Sequence, residues 1–216
     1  MCREPLLLYT SRMADDGKLP QHIIERLERA EQLKLAGKYE DALGILEQLI
    51  LDDPSNVAAL EEIADNELSL ERFERAEAAA RQAITLDRAS YTGHYILGFL
   101  RSQERKWKEA FEFLKEANKL RPNNPEILRC LGWVLFNSDQ RPQGIVTLER
   151  ALNLDSESTL TLCDLGVAYL DLRNFPKAKA LFLRAIDLEP QNARAKECLA
   201  VVERFEGEVQ RQARKG

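Results

Sequence analysis

One pattern recurs every 34 residues along this chain without a single insertion. The run A-G-K-Y-E-D-A at residues 36–42 is answered at that interval by residues 70–76, 104–110, 138–144 and 172–178. A fixed period of this length is the mark of stacked helical hairpins, none of which can bury its apolar face alone, so neighbouring units share a core. The chain is therefore expected to be all-α and to form one solenoid, although 216 residues would otherwise admit one domain or two.

The same beat divides the chain into units at 23–56, 57–90, 91–124, 125–158 and 159–192, each reading as two helices joined by a short turn. Small residues fall where helices approach: Ala30, Ala64, Gly98, Gly132 and Gly166 in the first helices, Ala83, Ala117, Ala151 and Ala185 in the second. A glycine inside a helix costs about 1 kcal/mol relative to alanine, so its repetition points to close backbone contact. Ile63, Leu97, Leu131 and Leu165 fill the large slots of the first helices, and Tyr39, Phe73, Trp107 and Phe175 recur near the start of the second, which reads them as core. Asp53-Pro54, Arg121-Pro122 and Glu189-Pro190 end second helices, because the residue before proline is pushed out of the helical region. Asn56, Asn124 and Asn192 mark the turns that follow.

These residues resemble the tetratricopeptide repeat family over 23–192. Its small residue, Gly-x-aromatic, alanine and proline are carried here by Gly98, Gly37, Tyr39, Ala42, Ala83 and Pro54 and their equivalents, and a capping helix follows from about Ala193. The resemblance implies a right-handed superhelix of antiparallel helix pairs and a general protein-interaction scaffold. It also implies that first helices line a concave groove. The family's groove offsets fall on Leu27, Glu31, Glu61, Asp65 and Leu68, then on Tyr95, Phe99, Arg129, Trp133 and Phe136, and last on Leu160, Cys163, Val167 and Leu170. That surface would pass from acidic through aromatic to aliphatic. Members that grip the C-terminal carboxylate of heat-shock chaperones present a Lys and Asn, an Asn, then a Lys and Arg across three consecutive first helices. No three units here carry that set, and Glu61 and Asp65 would repel a free carboxylate.

Two departures from the pattern carry expectations of their own. Arg29 takes the slot later given to Ile or Leu, as suits a first unit with no predecessor to cover it. Arg141, Pro142 and Gly144 replace an aromatic, a polar residue and alanine in the fourth unit, which predicts a looser turn and faster amide exchange over 137–145 than over 171–179.

Net charge of −5 opposes the positive patch that phosphate backbones require, so no nucleic-acid partner is expected. Residues 23–90 hold 16 acids against 8 bases, so more than the whole net charge lies in the first two units. No apolar run approaches membrane-spanning length, and Glu4 and Pro5 interrupt the short apolar stretch at the start, which argues against a secretory signal. Met13-Ala14-Asp15-Asp16 resembles an ordinary translation start, which leaves the native status of residues 1–12 open. Residues 1–22 read as a flexible or self-docking extension whose segment at 5–9 could occupy the groove; 193–216 read as the capping helix and a frayed basic tail. The stripe Leu199, Val202, Phe205 and Val209 would seal the last repeat, with any excess available for self-association.

Cys2, Cys130, Cys163 and Cys198 are scattered, with no C-x-x-C pair and only two histidines in the chain, and read as packing thiols. No metal site, cofactor or catalytic constellation can be assembled; Gly37-Lys38 lacks the rest of a phosphate loop, and His94 sits in a packing slot. The reading is thus a non-catalytic cytoplasmic adaptor. Its partner would be a peptide or helix with apolar anchors and a basic flank, the flank meeting the first two repeats. A self-assembling homo-oligomeric scaffold and a client-shielding secretion or assembly chaperone are the alternatives.

Overall fold

The computed structural model describes residues 20–213, with side chains to 208. Cys2, the apolar segment at 5–9 and Met13 lie outside them. Among the described residues there are eleven α-helices and no strand: α1 Gln21–Leu35, α2 Tyr39–Asp52, α3 Val57–Ser69, α4 Phe73–Leu86, α5 Tyr91–Gln103, α6 Trp107–Leu120, α7 Pro125–Asn137, α8 Arg141–Leu154, α9 Thr159–Asp171, α10 Phe175–Leu188 and α11 Ala193–Ala213. They form two compact units, one ending at Gln103 and holding α1–α5, the other beginning at Glu104 and holding α6–α11. Their boundary falls inside the third repeat, between its two helices.

Helix starts follow one rule. Asn56, Ser90, Asn124, Ser158 and Asn192 each precede a first helix and accept a backbone N–H from its first turn, at 3.0, 3.1, 3.0, 3.3 and 2.9 Å respectively. Each cap satisfies a donor that the helix itself leaves unpaired. The asparagines are therefore caps, and Ser90 and Ser158 do the same work in the two units that lack them. Second helices end equally uniformly, at Asp53, Asp87, Arg121, Asp155 and Glu189, each donating its backbone N–H four residues back. Two of those five ends lack a proline, so proline reinforces a stop that the cap geometry already makes.

The turns inside the repeats share a left-handed residue at Gly37, Glu71, Arg105, Asp139 and Arg173, with φ between 57° and 73°. The residue after it donates back across the helix end: Lys38 to Leu33, Arg72 to Glu67, Gln140 to Leu135 and Asn174 to Tyr169, at 2.8 to 3.1 Å. The fourth repeat keeps this frame through Asp139 and Gln140, but at its helix end Ser138 donates three residues back to Leu135 at 3.2 Å, where Ala36, Leu70 and Leu172 donate four residues back. Pro142 lies in the first turn of α8, where its missing N–H would have had no helical partner anyway. Gly132 and Gly144 bring α7 and α8 together so tightly that a Cβ on Gly144 would stand 2.5 Å from the Phe136 nitrogen. Arg141 lies over the Phe136 ring at 5.4 Å and pairs with Asp171 at 3.0 Å.

In the first unit Ile23, Leu27, Ala30, Ala42, Leu46 and Leu49 form a core that continues onto Ala58 and Ala59. In the second, Phe136, Leu148, Leu165, Tyr169, Phe182 and Val202 do the same, so α11 closes the stack by burying Val202. Phe205 lies on Phe175 with ring centroids 6.1 Å apart, which spends most of the α11 stripe on the last hairpin. The aromatics opening second helices are less buried than their recurrence implies: Tyr39, Trp107 and Phe175 are partly exposed and Phe73 is 43% exposed. Each is the first residue of its helix, at the edge of the stack rather than in its middle.

Candidate partner-binding surface

On the first helices of the first unit, the sequence-derived groove residues divide. Asp65, Tyr95, Phe99, Leu68 and Glu31 keep partial exposure, whereas Leu27 is core and Glu61 is only 4% exposed. Glu61 takes a 2.5 Å hydrogen bond from the Ser90 hydroxyl, which at the same time accepts from Gly93. It is thus an internal strut between α3 and the cap of α5, and it is withdrawn as a groove acid. A buried carboxylate needs such a donor, and Ser90, the last residue of the same repeat and the cap of the next first helix, supplies it.

The remaining acids are organised by Lys34, which sequence reasoning passed over. Its ammonium lies 2.6 Å from Glu62 and 3.0 Å from Asp65, and these two carboxylates hold its pKa well above the usual lysine value against the opposing effect of burial. Burial pushes the Glu62 carboxyl upward, and does the same to Glu31, in both cases against the pull of Lys34. Three carboxylates around one ammonium leave this face negative, but less so than a count of acids implies. The signal for Lys34 was available as a cation 28 and 31 residues from two acids, offsets that place it on the neighbouring first helix.

Behind that face the unit holds another ionic cluster. Glu67 is fully buried, with Oε1 2.8 Å from an Arg75 nitrogen in a contact that lacks hydrogen-bond alignment, and Arg72 reaches it at 3.7 Å while also binding Glu40. Arg101, 6% exposed, pairs with Glu77. These pairs join α2, α3, α4 and α5 and belong to the scaffold.

In the second unit, Trp133 is partly exposed and lies stacked on Phe136, with centroids 6.4 Å apart and planes 22° from parallel. Phe136 is only 6% exposed and belongs to the core with Leu148 and Phe182, so it is corrected from a groove ring to a core residue neighbouring Trp133. Val167 and Leu170 are partly exposed and pack against the same core. Leu160 is 52% exposed, and Cys163 is buried. Arg129 is engaged by Asp164, whose other oxygen binds Arg194 of α11.

Among the described residues the cysteines carry no reactive signature. Cys163 is 1% exposed and burial pushes its thiol up to about 11, opposite to the shift a nucleophile requires. Cys130 is buried and unbridged, and burial raises Cys198 also. His94 is half-buried, with Nε2 3.2 Å from the Arg88 carbonyl oxygen. Among the described residues no cluster of His, Cys, Asp and Glu is arranged to hold a metal ion, and no helix is long and apolar enough to cross a membrane.

Models of the tetratricopeptide repeat match residues 27–90 and 61–125, and a second such model matches 160–192. The chain is 32% identical over 90 residues to the peroxisomal targeting signal receptor of Saccharomyces cerevisiae, an alignment covering 42% of this chain and 15% of the receptor. It is 24% identical over 154 residues to anaphase-promoting complex subunit 3 of Schizosaccharomyces pombe, covering 71% of this chain and 21% of that subunit. The chain thus spans about a fifth or less of the length of these relatives. Among solved structures it is similar in fold to a thermophilic tetratricopeptide repeat protein of Thermus thermophilus, with a TM-score of 0.66, 20% identity, and coverage of 82% of this chain and 97% of that one.

Proposed function

We propose, from the premise that this chain belongs to the tetratricopeptide repeat family, that it is a non-catalytic adaptor whose first-helix faces hold a segment of another protein. The family at large mediates protein–protein interaction, and the two relatives are by name a targeting-signal receptor and a subunit of a multiprotein complex. The observation that carries the reading is Trp133, a partly exposed ring lying nearly parallel to the buried Phe136 ring with centroids 6.4 Å apart. An aromatic ring beside an apolar core is the kind of anchor that dominates interface energetics, and completing its burial contributes about 1.5–3 kcal/mol. In the first unit Tyr95 and Phe99 are the partly exposed rings of α5, the first helix that follows α3 with its Glu62 and Asp65 around Lys34. Those carboxylates favour Lys or Arg flanking the apolar anchors of whatever binds there.

Affinity capture from native lysate with the wild-type chain, Phe99→Ala and Trp133→Ala, each verified to fold by circular dichroism, tests this. A protein held by the wild type and lost from either variant supports the reading. Equal capture by all three would move the contact away from the first-helix faces and make self-association the reading to pursue.

A further inference from the structure

Asp164 on α9 is 4% exposed, and its two oxygens are divided between two guanidinium groups. Arg129 on α7 donates Nη1 to Oδ2 at 3.0 Å, and Arg194 on α11 donates Nη2 to Oδ1 at 2.8 Å. One buried carboxylate therefore holds two guanidinium groups, and Glu126 supplies a second carboxylate on the Arg129 side. The two arginines differ in how they are used. The Arg129 side chain is 13% exposed and has Glu126 3.8 Å from its second terminal nitrogen. The Arg194 side chain is 46% exposed, and a guanidinium has five donors in a rigid planar fork. Asp164 takes one of those donors and restrains the group, which is otherwise half-exposed. Leu160 stands on α9 at the repeat position that Arg194 holds on α11 and is 52% exposed, so the preceding first helix offers an apolar side chain at the equivalent position.

We infer that the Asp164-held guanidinium of Arg194 receives a carboxylate side chain of the bound segment, with an apolar residue of the same segment lying on Leu160. This rests on the adaptor reading and extends it: the second unit selects an acid beside its anchor, whereas the first unit favours bases. A bidentate arginine–carboxylate pair is directional as well as strong, so it acts on which segments bind and not only on how tightly.

Selection of phage-displayed random dodecapeptides on the immobilised full chain, in parallel with Arg194→Gln and Arg194→Glu, tests it. The wild type is expected to enrich peptides in which Asp or Glu accompanies an apolar residue. Arg194→Gln should weaken a selected peptide about tenfold, and Arg194→Glu should shift the enriched charge from acidic to basic, a reversal that a purely structural strut would not produce. Enrichment without acids, or the same sequences on the wild type and Arg194→Glu, overturns the inference and leaves the adaptor reading standing. A selection on the wild type that yields nothing above bare support, or peptides that bind both Phe99→Ala and Trp133→Ala undiminished, fails the adaptor reading itself.

Discussion

Gly44 and Gly144 show how differently one residue type can serve at equivalent-looking places. A Cβ on Gly44, inside α2, would meet nothing within 4 Å, whereas on Gly144 it would stand 2.5 Å from the Phe136 nitrogen and 2.8 Å from the Gly132 carbonyl oxygen. Gly44→Ala should therefore stabilise by about 0.5–1 kcal/mol through helix propensity alone. Gly144→Ala should destabilise by about 1–3 kcal/mol, since the obstacle is backbone and cannot rotate aside. Urea unfolding of both variants decides the matter, and a Gly144→Ala protein as stable as the wild type would mean that α7 and α8 are not in such close contact. At this scale the sequence showed that a small residue was wanted at 132 and 166, because both recur in phase. It could not show that Glu61 is spent on Ser90, since a single hydrogen bond between residues 29 apart leaves no trace in the periodicity.

Among the elements, the repeat turns are the informative case. Arg141, Pro142 and Gly144 break the sequence pattern, yet the turn that joins α7 to α8 has a left-handed Asp139 and a Gln140-to-Leu135 hydrogen bond of 3.1 Å, against 2.8 Å for Asn174 to Tyr169 one repeat later. Amide protection of Gln140 and Asn174 is therefore expected to agree within about tenfold, or about 1.4 kcal/mol. Markedly faster exchange across 137–145 by hydrogen–deuterium exchange would favour the loose-turn reading. Helix positions and stops were legible in the sequence because caps, prolines and small residues are local signals. The strength of the fourth hairpin was not, because a glycine that weakens a helix in isolation is what permits two helices to touch.

For the whole molecule, the uneven charge gives the adaptor reading a kinetic consequence. The acids concentrate in residues 23–90, and Glu31, Glu62 and Asp65 surround Lys34 on the first-helix face of the first unit. A peptide with a basic flank and apolar anchors should associate more slowly as salt rises from low to physiological strength, by about tenfold or less, while its dissociation rate changes by about twofold at most. Stopped-flow measurements showing an association rate indifferent to salt would remove the steering role of these acids. By itself the sequence determined the all-helical repeat, its phase and the helix ends, because each follows from residues close together in the chain or repeated at a fixed interval. Only the tertiary structure decided that Phe136 is core while Trp133 stays partly exposed, that Glu61 is internal, and that Asp164 holds Arg129 and Arg194 together. Those outcomes depend on which helices pack against which faces, and contact between distant segments is fixed by packing geometry rather than by any residue's own pattern.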